Sequence, residues 1–492
     1  MATDATRTSH ALARDLLSEI WRGLGGDSTR LDRVRFHGAG ALASPFAVTD
    51  LAAAVFAAAG SALGELLEAA GADPVEIDVD RVLASGWFYL PPGPSEPLTG
   101  PPPRIQTPWM TEFATADGRW LRVQGAFPTL RSRIFDVLGT PADIDAVASV
   151  VRRYPADEIE QLLVDGGAAA AVDRSVDEWL AHPAGRAVHA EPIAHIEAGG
   201  ASDSSWQPTP GRPLAGIKVL DLTRVAAGPF ATRFLAACGA EVLRVDAPGS
   251  DESSTPFMAQ PNDLNLGKRW AILDAARPEG RDRLLELLSE ADIFVHGYRP
   301  NAIDRLISPE ERRRAKPDLV EVGLRAYGWT GPWQDRRGFD TLVQFSSGIA
   351  QATQAWALAD PAARLPLIAV GHEVDASRPR HMPVEALDLA TGYQIATAAI
   401  RGLTRRLVDR EGSTWRFSIA RTASILIGRG EVPQEGPSIE LPLTGPWEDR
   451  IYSGATGPVR RLRFPLEVEG NPLFWERPAD RAGGSTPCWV TP

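Results

Sequence analysis

Ile217-Lys218-Val219-Leu220-Asp221-Leu222 is a short apolar run that reads as a strand, and the alternation of elements downstream of it decides the fold. Gly228-Pro229-Phe230 opens a helix, because proline is favoured in the first helical turn. That helix reaches Cys238, and Gly239 ends it. Glu241-Val242-Leu243-Arg244-Val245-Asp246 is a second strand. A helix around Leu284 to Leu288 precedes a third strand, Ile293-Phe294-Val295-His296, and Leu319-Val320-Glu321-Val322-Gly323-Leu324 is a fourth. Strands alternating with helices imply βαβ units. The expected fold class is α/β, with a doubly wound, Rossmann-like parallel sheet.

Upstream the texture differs. Residues 9–25 and 47–71 carry Ala and Leu at helical spacing. The apolar stretch Leu51 to Leu63 is too short to span a bilayer and reads as a buried helix. Leu90-Pro91-Pro92-Gly93-Pro94 through Pro101-Pro102-Pro103 is too rich in proline for a helix or a central strand, so an extended linker is expected. In Phe113-Ala114-Thr115-Ala116-Asp117-Gly118-Arg119-Trp120-Leu121-Arg122-Val123, the Asp-Gly pair between apolar runs signals a hairpin. Ser175-Val176-Asp177-Glu178 is a capping box that starts a helix. Ala198-Gly199-Gly200-Ala201 through Ser205 reads as a second linker.

With 492 residues the chain is long enough for about three domain-sized units. Its net charge of −12 disfavours nonspecific binding to nucleic acid or to an anionic membrane, so an anionic ligand needs a local cluster of Lys and Arg. The two cysteines, Cys238 and Cys488, lie far apart, which argues against a disulfide framework, and a zinc site built mainly from thiolates is excluded. Met1-Ala2-Thr3-Asp4 is polar and holds no apolar signal core. A reducing, cytoplasmic setting is expected.

Several common chemistries lack their motifs. The turn Thr223-Arg224-Val225-Ala226-Ala227-Gly228-Pro229 is not G-x-G-x-x-G, so the pyrophosphate cradle of a dinucleotide site is missing, and Asp246 reads as a solvated acid at a strand end. The eight histidines form no H-x-x-x-H pattern, so no metal is expected. No G-x-S-x-G elbow is present. Basic residues do gather at Lys268-Arg269, Arg299, Arg305 and Arg336-Arg337, where they suit either phosphates or a solvated face. Asp388, in Pro383-Val384-Glu385-Ala386-Leu387-Asp388, stands among apolar residues just before an Ala-rich helix from Gln394 to Leu403. It suits either a helix cap or a partly desolvated carboxylate.

Taken together, Gly216 to Leu222, Ala227-Gly228-Pro229, Leu235 to Val242, Asn265-Leu266-Gly267-Lys268-Arg269, Tyr298 to Leu306, Tyr327 to Trp333 and Gly338-Phe339-Asp340 resemble, in order, the class III CoA-transferases and their α-methylacyl-CoA racemase relatives. The resemblance covers residues 215–410. It implies that Asp388 is a covalent nucleophile exchanging CoA between an acyl-CoA and a carboxylic acid. It further implies that Lys268, Arg305 and Arg337 meet CoA phosphates and converge on one cleft, with Tyr298 lining the adenosine end. The racemases carry His where this chain has Phe339, which favours transfer over racemisation. A non-catalytic CoA-binding protein is the third reading. Gly297 stands where many members have Asn, and the family's glycine-rich loop has no evident counterpart.

The resemblance also orders the chain: 1–90 as a helical, degenerate first-half copy, 91–108 as a linker, 109–198 as a small α+β domain, 199–214 as a linker, 215–412 as the CoA-binding catalytic domain and 413–492 as a returning segment. Members of the family form interlocked ring dimers. Here either a pseudo-dimeric monomer or a homodimer is expected, with the small domain acting as a lid, preferably over its own Asp388.

Overall fold

The computed structural model describes residues 10–90, 93–99, 108–254, 262–299, 302–360, 364, 378–434, 436–454 and 457–490. The N-terminal tetrapeptide, Pro91-Pro92, Pro101 to Pro103 and Pro300-Asn301 fall outside the described residues.

A seven-stranded sheet forms the frame. In chain order its strands are β1 (His195–Ala201), β2 (Lys218–Leu222), β3 (Glu241–Asp246), β4 (Lys268–Ile272), β5 (Ile293–His296), β6 (Val320–Arg325) and β7 (Glu411–Ser418). Across the sheet they run β4-β3-β2-β5-β6-β7-β1. All neighbours are parallel except β1, which pairs antiparallel with β7 at the edge. The order reverses at β2, the switch point where open α/β sheets carry their sites.

Successive side chains of each strand feed opposite layers, as a period of two requires. Val219, Val242, Ile293, Val295 and Val322 enter one core, while Leu220, Leu222, Leu243, Val245 and Phe294 enter another with Leu284, Leu287 and Leu288 of helix Pro278–Glu290. Apolar residues on both faces explain why these strands read as continuous apolar runs rather than alternating ones.

The first core is built around three helices: α1 (Val48–Ala69), α2 (Ala227–Ala237) and, towards the C-terminus, α4 (Ala386–Val408). α1 extends well past the stretch Leu51 to Leu63 and is long and apolar enough to cross a membrane, but 89% of its apolar window is buried inside the protein. It is a core helix packed on α4.

Residues 10–90 are not wholly helical, contrary to the expectation from sequence. Strands Val34–His37 and Ile77–Asp80 flank α1 and pair in parallel, forming a βαβ unit. Leu466–Val468 from the far end of the chain completes that small sheet. Each strand has only four residues, so the helix between them dominates the local composition and hides the strand pattern.

Two expected linkers also carry strands. Ser95–Pro97 pairs with Gly457–Arg461, and the stretch Ala198 to Ala201 lies within β1. Its glycines serve close packing: a Cβ on Gly199 would sit 2.6 Å from the Gly412 backbone, and one on Gly200 would sit 2.9 Å from Pro317. The hairpin forms as read, with Met110–Ala114 paired to Trp120–Gln124 around Gly118 at φ 79°. Together with Ala170–Val172 it makes the sheet of the small domain.

Candidate active site

A cavity of about 330 Å³ opens at the carboxyl ends of β2, β5 and β6. Asp388, Tyr298 and Arg337 all line it. Asp388 is the third residue of α4, so it lies inside the first helical turn rather than ahead of the helix, as the sequence suggested.

The turn is held from outside. Asp340, the first residue of helix α3 (Asp340–Ser346), accepts hydrogen bonds from the backbone N–H groups of Leu387 and Asp388, each at 2.8 Å. These amides have no partner within their own helix, so Asp340 acts as a cap supplied by another helix. The Gln344 side chain donates to the other Asp340 oxygen.

The electrostatics around Asp388 are unusual. Burial pushes its carboxyl well above the ordinary carboxylate range, and the like charges of Asp340 and Glu385 push it further. Asp340 is raised to about 6, chiefly by burial. Glu385 is raised to about 8 by burial and by the charge of Asp340. Arg122 of the small domain is the cation facing both of these acids. It also bonds Glu112, which in turn faces the partly buried His381, held down to about 4 chiefly by desolvation.

The cavity wall is rich in guanidinium groups: Arg224, Arg299, Arg325, Arg336 and Arg337 line it, with Asp251. Arg336 is committed to the protein, donating to Glu160 at 2.8 Å and to the Ala170 carbonyl at 2.7 Å, and lying over the Trp333 ring at 3.8 Å. Arg224 pairs with Asp251 at 3.6 Å and Glu252 at 3.3 Å. The neighbouring Val225 adopts φ 66°, a strained conformation for a β-branched residue, and the buried Glu252 carboxylate accepts its N–H at 2.8 Å.

Two expected phosphate contacts fall elsewhere, so the expected convergence of three cations is corrected to one. The Lys268 ammonium is fully buried, 3.1 Å from Asp221 and 2.8 Å from the Pro229 carbonyl. Burial lowers it to about 8. Asp221 also accepts from the Thr223 N–H and from the hydroxyls of Thr223 and Thr232, so Lys268 braces the β2–α2 turn from behind. Arg305 sits on the exposed side of helix Ala302–Leu306 and does not line the cavity, although Ala302 does. Asp246 is not a solvated acid: it is 1% exposed and accepts from Arg244 at 3.0 Å and from the Trp270 indole at 3.1 Å.

Sequence reasoning passed over Asp340 and Glu385 as site acids, and Arg224 and Arg325 as wall residues. Glu385 at three residues before Asp388 was a usable signal, because that spacing places both at one helix start. The small domain reaches the same cavity within this chain. Phe127 and Leu130 line it, and the Phe127 ring stacks on Phe339 at 6.2 Å. Trp179 is fully buried against Tyr327 and Trp333, behind the wall rather than on it. Among the described residues, no group of three or more His, Cys, Asp or Glu could hold a metal ion.

Residues 214–430 match the family model described as CoA-transferase family III. Over 258 residues the chain is 31% identical to the "Acyl-CoA transferase" of Gibberella moniliformis, covering 48% of this chain and 44% of that relative. It is 31% identical over 210 residues to the human "Succinyl-CoA:glutarate CoA-transferase", covering 41% of this chain and 44% of that relative. The chain thus spans about half or less of the length of these curated relatives. A crystal structure of Rv3272 from M. tuberculosis is 27% identical, with a TM-score of 0.38, over 45% of this chain and 57% of that one.

Proposed function

We propose, proceeding from the match of residues 214–430 to the model of CoA-transferase family III, that this protein moves CoA between an acyl-CoA thioester and a carboxylic acid, with Asp388 as the nucleophile. The observation that carries this reading is a buried carboxylate at the wall of an arginine-lined cavity, with the acids Asp340 and Glu385 as the charges that shift it. A desolvated carboxylate is a stronger nucleophile than a solvated one, and its mixed anhydride and its thioester both remain reactive.

That chemistry dictates the steps. An Asp388 carboxylate oxygen attacks the thioester carbonyl and expels CoA as thiolate, leaving an acyl-aspartyl anhydride. The thiolate attacks the aspartyl carbonyl, releases the donor carboxylate and leaves an aspartyl-CoA thioester. The acceptor carboxylate then takes the first carboxylate's place and the sequence runs in reverse. Fixing Asp388 through the Asp340 cap keeps its oxygens in one attack geometry. Cations at the wall offset the phosphates of CoA in a chain whose net charge is −12.

Racemisation needs a second base opposite the first. Phe339 on the cavity wall offers none, which supports transfer. Phe127 and Leu130 reaching the same cavity as Asp388 support a lid supplied by the chain's own small domain.

Incubation with a panel of acyl-CoA thioesters, then treatment with hydroxylamine or borohydride and mass spectrometry, should place a modification on Asp388. Absence of any Asp388-dependent adduct, with CoA still bound, would leave a non-catalytic CoA-binding protein instead.

A further inference from the structure

The cavity is not uniform along its length, and contacts on either side of Asp388 define its nucleophile end. Gly392 lies one turn further along α4 on the same side. A Cβ there would sit 2.5 Å from the Ala227 carbonyl oxygen and 3.1 Å from Phe230. The start of α2 therefore lies against the first turns of α4, and Ala226 and Ala227 line the cavity there. The Thr391 hydroxyl meets the Thr422 hydroxyl at 2.7 Å. One turn before that pair stand Asp388 on α4 and Ile419 on helix Ile419–Arg429, and both line the cavity. Ala420 donates its N–H to the Ala326 carbonyl at 2.9 Å, which brings Ala326 beside Ile419. Phe339 immediately precedes the cap Asp340, and the Phe127 ring stacks on it.

Ala226, Ala227, Ala326, Phe339 and Ile419 thus surround the nucleophile with a wall that has no polar side-chain atom. The guanidinium groups of the cavity are directed or committed elsewhere. Arg325 follows Leu324 on β6, and neighbours on a strand point to opposite faces. Leu324 packs on the core shared with α4, whereas Arg325 lies over the Trp329 ring at 4.2 Å and 3.7 Å from Asp335. Arg336 is taken by Glu160, and Arg224 by Asp251 and Glu252. Arg299 and Arg337 are left for the phosphates of CoA under the reading above. The charges that shift Asp388 itself are the acids Asp340 and Glu385.

A thioester brings its carbonyl carbon within reach of the Asp388 oxygens, so the rest of its acyl group occupies this end of the cavity. A second carboxylate on that group would lie among apolar side chains, beside Asp340 and Glu385, with no cation to pair with it. A buried unpaired charge is costly, whereas methyl and methylene groups gain from the same burial. We infer that the acyl group, and the acceptor acid that takes its place, are apolar monocarboxylic acids, with Phe339 and Ile419 as the residues that set this preference; this rests on Asp388 being the site of acyl transfer.

The test uses thioesters in matched pairs. Butyryl-CoA and succinyl-CoA have the same chain length, as do valeryl-CoA and glutaryl-CoA, and each pair differs by a terminal methyl against a carboxylate. The rate of Asp388 adduct formation in the full-length protein should favour the monocarboxylic member of each pair by about a hundredfold. D388N forms no adduct, and calorimetry on it should give the same order: butyryl-CoA at least as tight as free CoA, and succinyl-CoA about tenfold weaker than butyryl-CoA. Equal treatment of the two members of each pair, or a preference for succinyl-CoA or glutaryl-CoA, would overturn the inference. No adduct from any thioester, with binding that still favours butyryl-CoA over succinyl-CoA, would sink the transfer reading and keep the apolar acyl site. Failure of every CoA compound to bind would overturn both. I419R sets a cation in the wall and should narrow the butyryl-to-succinyl ratio about tenfold. A folded I419R with the wild-type ratio would remove Ile419 from the assignment, and the wild-type ratios decide the charge preference even where I419R does not fold.

Discussion

Asp50 and Asp388 occupy matching places. Each is the third residue of a long, buried helix, α1 and α4, and these two helices pack side by side. Both side chains are nearly hidden, 9% and 6% exposed. Their surroundings differ. Asp50 takes two bonds from Arg81, at 3.1 and 2.7 Å, and Arg81 also donates to the Gly38 carbonyl. The turn ahead of α1 is covered by the returning C-terminal segment: Val432 and Ile439 donate their N–H groups to Pro45 and Ala41, and Gln434 donates to the Leu42 and Ser44 carbonyls. Asp388 has no ion pair among the described residues, faces two other acids, and its turn opens on a cavity. The same backbone position therefore makes a structural ion pair in one unit and, in the other, the buried carboxylate that the proposed function takes as its nucleophile. Helix position alone does not create a nucleophile; the neighbours decide.

The largest effect should come from exchanging the two aspartates' fates. D388A should lose adduct formation and turnover by roughly 10³-fold or more, since it removes the reacting atoms. D50A should keep turnover within a few-fold in its folded fraction, because Asp50 serves only the fold. Initial rates normalised to folded protein by circular dichroism check both. Comparable losses in the two variants would erase the distinction.

A second effect belongs to stability. R81M leaves the Asp50 charge buried without a partner, which costs about 3–5 kcal/mol. The double variant D50N/R81M should recover most of that, because no charge remains to be offset. Urea unfolding monitored by tryptophan fluorescence measures both, and a double variant no more stable than R81M would show that Arg81 acts through packing instead.

How far the site could be read from sequence depended on the kind of signal each residue gave. The parallel sheet was legible because strands buried on both faces are continuous apolar runs. Asp388 was legible as a carboxylate among apolar residues. Arg337 was picked out by the resemblance, and it lines the same cavity as Asp388. Lys268 was not, because an ammonium buried against Asp221 and a phosphate-binding lysine look alike as letters. The packing glycines of β1 imitate a linker for the same reason: Gly199 is small so that Gly412 can approach, and sequence does not show what approaches. Asp340 was invisible as a cap because it serves a helix that starts 46 residues later, at Ala386.

The third effect is on pH dependence. In the proposed mechanism Asp388 attacks as a carboxylate, and its proton is held well above the usual range by burial and then by Asp340. Adduct formation should therefore rise with pH over a range higher than an ordinary aspartate would give. D340N keeps an oxygen to accept the Leu387 and Asp388 amides but removes the first of the two like charges. The rising limb should move to lower pH by roughly one unit. The pre-steady-state rate of adduct formation between pH 4 and 9 is the measurement. An unmoved limb would mean that burial alone sets the nucleophile.

The smallest effect concerns Glu385, whose proton is held up to about 8 by burial and the charge of Asp340. In the unfolded chain an ordinary glutamate gives up that proton near pH 4.3. Between these two values the folded state binds a proton that the unfolded state has released, so this residue makes folding less favourable as pH rises through the interval and adds nothing further above it. Glutamine in its place has no proton to exchange. E385Q should thus match wild type in stability near pH 4 and exceed it increasingly up to pH 8, by about 1–2 kcal/mol once local relaxation is allowed for. Asp50 supplies the contrast: D50N breaks the bonds to Arg81 and should be less stable than wild type at pH 7. Urea midpoints at pH 4.5, 6.5 and 8.5 measure all three proteins. A gap between E385Q and wild type that stays constant across those pH values would show that the Glu385 carboxyl ionises normally in the folded state, and that the acids beside Asp388 do not form one coupled group.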